Sequence, residues 1–138
     1  LDFFAGIGGE DAFRRMCVLD ALILNVDRLY GNFGVLFDTA TMETLGMAPV
    51  FDHNRSLLPA LDNDQLAAPE WYLRKCRPRL GTDFLLTARG LLTDDIRRDL
   101  KRLGDFTFRQ HPRIRAEQER LDSLSKIVQN QIHQILST

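Results

Sequence analysis

Three oxygen-bearing side chains in the first half of this chain have the types and spacing for phosphoryl-transfer chemistry: Asp27, Asn32 and Asp52. A carboxylate such as Asp27 can meet an attacking hydroxyl and accept or orient its proton. An asparagine five residues later, in the same short loop, can turn its amide oxygen toward a metal ion that neutralises phosphates. Carboxylate and amide oxygens are the hard donors that Mg²⁺ prefers. Each residue also has an ordinary structural use. Asp27 can cap a turn, Asn32 can take a left-handed backbone position, and Asp52 can begin a turn with Asn54.

These side chains matter only if the surrounding elements hold them together. Residues from about Glu10 to Leu24 read as a buried helix, with Glu10 and Asp11 favouring its N-terminus. Before it, Gly6, Gly8 and Gly9 read as a flexible lead-in loop. Asn25-Val-Asp-Arg-Leu-Tyr-Gly-Asn32 follows as a polar loop. Phe33–Phe37 is rich in strand formers. Asp38–Thr41 looks like a turn, and Leu45–Phe51 returns as a second strand, with Pro49 at its edge or end. If Phe33–Phe37 pairs with Met47–Phe51, Asn32 and Asp52 lie beyond the same open end, with backbones roughly 5 Å apart.

The rest reads as helical. Segments run over Asp62–Ala67, Glu70–Cys76 and Thr82 or Asp83 to Ala88, with another from Thr93-Asp-Asp95 to Gly104. A long last helix is predicted from about Pro112 to Leu136. Its stripe is Ile114, Leu121, Leu124, Val128, Ile132 and Ile135, read as core packing. Phe13, Cys17, Leu22, Ile23, Leu85, Leu100, Leu124 and Val128 are the expected buried positions. The fold class is therefore mainly α with one β-hairpin.

With 138 residues, the chain has room for one domain with a modest core. Its 18 Lys plus Arg against 19 Asp plus Glu leave a net charge of −1, which argues against a general polyanion binder. No apolar run approaches the roughly 20 residues that span a bilayer. Two cysteines, Cys17 and Cys76, do not make a disulfide scaffold, so a reducing, cytoplasmic setting is expected. His53, His111 and His133 are scattered, without metal-ligand spacing.

An Asp followed five residues later by an Asn is the spacing of a kinase catalytic loop. The stretch Leu19-Asp-Ala-Leu-Ile-Leu-Asn-Val-Asp-Arg-Leu-Tyr-Gly-Asn-Phe-Gly-Val-Leu, followed by Gly46-Met-Ala-Pro-Val-Phe-Asp-His-Asn-Arg-Ser-Leu58, resembles the HipA-like serine/threonine protein kinases. Their approximate pattern is N-x-D-R-H-x-x-N-F-G, then A-P-x-[FY]-D-x-x-x-[SA]-L. The match is dense over about residues 19–58; residues 59–138 fit by position and helical character.

The resemblance implies that Asp27 is the catalytic aspartate and that Asn32 and Asp52 hold the metal. Asn25 would have a supporting role. Leu29 stands where the family usually has His. Arg28 either contacts phosphate or substrate, or is solvated or ion-paired. His53 either lines the nucleotide site or is a hydrogen-bonded structural histidine. ATP would be the phosphoryl donor, with Mg²⁺, and the acceptor a Ser or Thr hydroxyl of a protein substrate. The chain, which begins at Leu1 without Met, would be the C-terminal lobe of a longer kinase. Its N-terminal lobe would carry the phosphate-pairing lysine, and the isolated lobe would be nearly inactive. The family's toxin–antitoxin association implies an antitoxin-type partner.

Two other readings compete. Leu1-Asp-Phe-Phe-Ala-Gly-Ile-Gly-Gly9 looks like the cofactor loop of DNA cytosine-5 methyltransferases, but no Pro-Cys follows and no Rossmann-like alternation of strands and helices supports it. A non-catalytic binding or regulatory domain is the second. Arg74, Lys75, Arg77 and Arg79 beside Trp71 and Tyr72, or Arg97, Arg98, Lys101 and Arg102, can touch phosphate or nucleic acid. Charge runs are more often solvated faces, so direct nucleic-acid binding is not expected.

Overall fold

A computed structural model describes residues 1–137. In chain order the elements are α1 (Asp2–Gly6), α2 (Glu10–Ile23), β1 (Val35–Phe37), β2 (Thr44–Met47), α3 (Asn63–Ala67), α4 (Glu70–Lys75), α5 (Phe84–Gly90), α6 (Asp94–Arg102) and α7 (Gln118–Leu136). A single 3₁₀ turn spans Tyr30–Asn32. The architecture is mainly helical with one antiparallel hairpin. No described helix is long and apolar enough to cross a membrane.

The core forms where α2, α5 and α7 meet, with α3 and α6 against α7. Helix α2 contributes Val18, Ala21 and Leu22, α5 Phe84 and Ala88, α6 Ile96 and Leu100. Helix α7 adds Leu124, Ile127, Val128, Ile132 and Ile135, at the three- and four-residue steps that put side chains on one helical face. Caps fix several helix starts. Thr93 accepts from the Ile96 amide, and Asp83 accepts from Leu85 and Leu86. Asp62 and Gln65 form a reciprocal capping box.

The N-terminal segment departs from the expected loop. Asp2–Gly6 is a helix, closed by paired bonds from Gly9 N to Phe4 O (2.7 Å) and from Gly8 N to Ala5 O (3.2 Å). Gly8, at φ 69°, supplies the left-handed residue this ending needs. Phe4 stacks on Phe13 at 4.3 Å between ring centroids, and Phe33 meets Phe13 at 6.0 Å. The glycines thus end a helix whose aromatic face is already packed.

The other departures have local causes. Helix α7 begins at Gln118 rather than near Pro112. Only the small Ala116 is apolar between Ile114 and Leu121, so a helix there would have almost nothing to bury, and Ile114 is 71% exposed. The strands are shorter than expected: Phe33 is extended but unpaired, and β2 stops before Pro49. Phe13, Ile23 and Leu85 are only half-buried, whereas the other five expected core positions are buried.

Candidate functional site

The loop after α2 starts from a left-handed residue. Leu24, at φ 54°, ends the helix, and Asn25 N returns to Asp20 O at 2.9 Å. Asn25 is fully buried. Its Nδ2 donates to Asp20 Oδ1 (3.0 Å), and its Oδ1 accepts from the Asp27 amide (3.1 Å). One side chain therefore ties the helix end to the backbone of Asp27.

Arg28 is the centre of the loop. Its side chain is buried, 1% exposed. Nε and one terminal nitrogen donate to the two oxygens of Asp20 at 2.8 and 2.9 Å, a bidentate fork. The other terminal nitrogen donates to Asn32 O and to Phe51 O, each at 2.6 Å. Two carbonyls on one nitrogen lie within about 5 Å of each other. So one guanidinium fastens the loop end at Asn32 to the residue before Asp52. Of the two expectations for Arg28, ion pairing holds; a group this buried is not available to substrate.

The hairpin registers Val35 against Met47 and Leu36 against Gly46. Ala48 N donates to Gly34 O at 2.8 Å, extending the approach beyond β1. Asn32 and Phe51 thus emerge from the same end of the ribbon. Asn32 Nδ2 donates to Asp27 O at 2.8 Å, closing the loop on itself. Asp52 follows in the left-handed region, at φ 56°, a conformation Asp tolerates better than most residues.

The donor oxygens remain free. Among the described residues, no protein group donates a hydrogen bond to Oδ1 of Asn32 or to the carboxylates of Asp27 and Asp52. Asp27 is one-fifth exposed, and among the described residues its only cation is Arg79, whose Nε lies 4.0 Å from Oδ1. No cluster of three His, Cys, Asp or Glu side chains is gathered as a metal cage among the described residues. Mg²⁺ is commonly held by one or two carboxylates together with phosphates and water. The Asn32 amide oxygen and the exposed Asp52 carboxylate are donors of that type.

His53 donates nothing from Nε2, which is buried without a partner, so the hydrogen-bonded alternative is not met at that atom. Leu29 is 40% exposed and anchors no core.

Two further residues, Asp20 and Arg79, touch the loop beyond the site residues the resemblance implies. Asp20 left a trace: a lone acid inside Val18-Leu19-Asp-Ala-Leu22, where burial demands a counterion. Arg79 showed only as one member of a basic run, and the tertiary path after α4 brings it to Asp27. Among family models, curated proteins and solved structures, none matches this chain.

Proposed function

We propose that this chain is the catalytic-loop-bearing C-terminal lobe of a HipA-like serine/threonine protein kinase. The parent protein would transfer the γ-phosphoryl group of ATP to a Ser or Thr hydroxyl of a protein substrate. One observation carries the reading: Arg28, held by Asp20, fastens the Asp27–Asn32 loop to the backbone ahead of Asp52. Phosphoryl transfer depends mainly on positioning and charge stabilisation, so a rigid frame for these groups is what the reaction asks of a protein.

In this mechanism the Asp27 carboxylate accepts a hydrogen bond from the acceptor hydroxyl and takes its proton. Asn25 holds the Asp27 backbone, and Asn32 holds it from the other side. Asn32 Oδ1 and Asp52 would bind Mg²⁺. That ion, when bound, offsets the charge on the nucleotide phosphates. The parts that cover the nucleotide belong to an N-terminal lobe of the parent, so the chain alone is expected to be nearly inactive.

The test uses the full-length parent with labelled ATP and Mg²⁺. Asp27→Ala is expected to lower phosphate incorporation by about 10²-fold or more, the scale of a general base. Equal incorporation by wild type and Asp27→Ala would remove the role given to Asp27.

A further inference from the structure

Beside the Asp27 loop runs a groove of about 290 Å³. Its apolar wall includes Leu24, Val26, Leu58, Pro59 and Leu61, and two cations, Arg55 and Lys75, line it. Val26 is the chain neighbour of Asp27, so the groove opens next to the candidate base. Its shape is held by unusual backbone. Leu24, Leu57 and Leu58 all have positive φ, at 54°, 61° and 50°. Such leucines are strained and persist only where their surroundings fix them. Leu57 N is bonded to Ile23 O at 2.7 Å, which pins this wall to the end of α2.

A basic run reaches the groove at Lys75. Arg74, Lys75, Arg77 and Arg79 are all exposed within six consecutive residues. Elsewhere several helical arginines pair within their own helix, as in Arg14–Glu10, Arg98–Asp95 and Arg102–Asp99. Here, among the described residues, the sole ion pair is the 4.0 Å approach of Arg79 to Asp27. Glu70, one turn before Arg74, forms none. Lys75 lies 3.8 Å over the ring of Trp71, which is half exposed and is the chain's single tryptophan.

We propose that this groove docks an acidic segment of the protein substrate. One apolar side chain of the segment fills the groove, and its carboxylates meet Arg55 and Lys75, the two cations that line it. Apolar burial supplies an anchor and charge complementarity supplies selectivity. A segment seated there passes Arg79 and presents a neighbouring hydroxyl to Asp27. The assignment of that segment to a phosphoryl acceptor rests on the kinase reading; its binding does not.

The experiment therefore contains no nucleotide. A fluorescein-labelled dodecapeptide of glutamate, leucine and serine is titrated with the 138-residue chain and followed by anisotropy and by Trp71 emission. Saturable binding with a change in Trp71 emission is expected. Arg55→Glu, Lys75→Glu and replacement of the peptide leucines by glutamine should each weaken it about fivefold or more, as for a contacting charge or anchor. Arg98→Glu, on α6, should leave it unchanged. Three results would each overturn the proposal: no saturable binding, equal weakening by Arg98→Glu, or tighter binding of a uridine oligonucleotide of the same charge, which would mark a nucleic-acid surface. Because Asp27→Ala phosphorylation is measured separately, failure of either idea leaves the other to its own assay.

Discussion

Replacing Arg28 with methionine keeps an unbranched apolar stem and deletes the guanidinium, which makes it a direct measure of the clamp. The Asp20 carboxylate, 5% exposed, would retain only the Asn25 side-chain amide. The carbonyls of Asn32 and Phe51 would lose a donor at 2.6 Å. Stripping one partner from a buried pair costs about 3–5 kcal/mol, and each orphaned carbonyl about 1 kcal/mol more where water cannot replace the bond. A loss of about 4 kcal/mol is therefore expected, a large share of the roughly 5–15 kcal/mol typical of a domain. Asp20→Asn, which strands the guanidinium, should cost about 3 kcal/mol by the same reasoning. The double variant should cost clearly less than the two together, leaving a coupling of about 2–3 kcal/mol. The exposed Arg98–Asp95 pair has the same 2.8 Å separation but should couple by less than about 0.5 kcal/mol, because water screens it. Urea unfolding at neutral pH, followed by helical circular dichroism and Trp71 emission, measures all of these. Additivity of Asp20→Asn and Arg28→Met within about 0.5 kcal/mol, or a cost below about 1 kcal/mol for Arg28→Met, would refute the reasoning.

Three further outcomes are expected. Gly81 has φ +89°, and a Cβ there would collide with the Thr87 hydroxyl, so Gly81→Ala should destabilise by about 2 kcal/mol in urea titrations, with Thr87→Ala recovering only the steric part. Burial, reinforced by the Asp20 charge, pushes the Cys17 thiol up to about 12, and burial also raises Cys76. At pH 8 native Cys17 should resist thiol reagents until urea unfolds the chain, with half-buried Cys76 labelled first by mass spectrometry. The Arg15 guanidinium holds the Asp99 carboxyl below its ordinary value. A carboxyl depressed on folding contributes stability that is complete above the unfolded value near pH 4 and disappears as pH falls through the folded value. Arg15→Met should therefore lower the melting temperature at pH 7 and make little difference at pH 2.

Legibility from sequence followed how local each cause is. The ends of α2 and α6 were marked by Glu10, Asp11 and Thr93, groups that act on the first turn. Helix α1 has five residues, too few to show a period, and its stability comes from Phe4 packing on Phe13 and Phe33 across the chain. Pro112 permits a helix start without requiring one, so the absence of burial beyond Ile114 decided the boundary instead. At the site, residue type and spacing singled out Asp27, Asn32 and Asp52 because those are properties of the chain itself. Arg28 gave its type but not its direction: whether an arginine points to solvent or to Asp20 is set by the fold around it. Arg79 depends entirely on a turn between helices.

The clamp also changes how the loop should move. Connections between helices and strands normally open far more easily than the core they join. Here opening residues 25–32 would unmake a buried ion pair seated on α2, whose face helps form the core. The amides bonded within this loop, those of Asp27, Leu29 and Asn32, should exchange with solvent about as slowly as the α2 interior. The long exposed connection from Leu103 to Glu117 should exchange and be cut by proteases first. A loop that would ordinarily be the soft part of the molecule becomes kinetically one with its most protected helix.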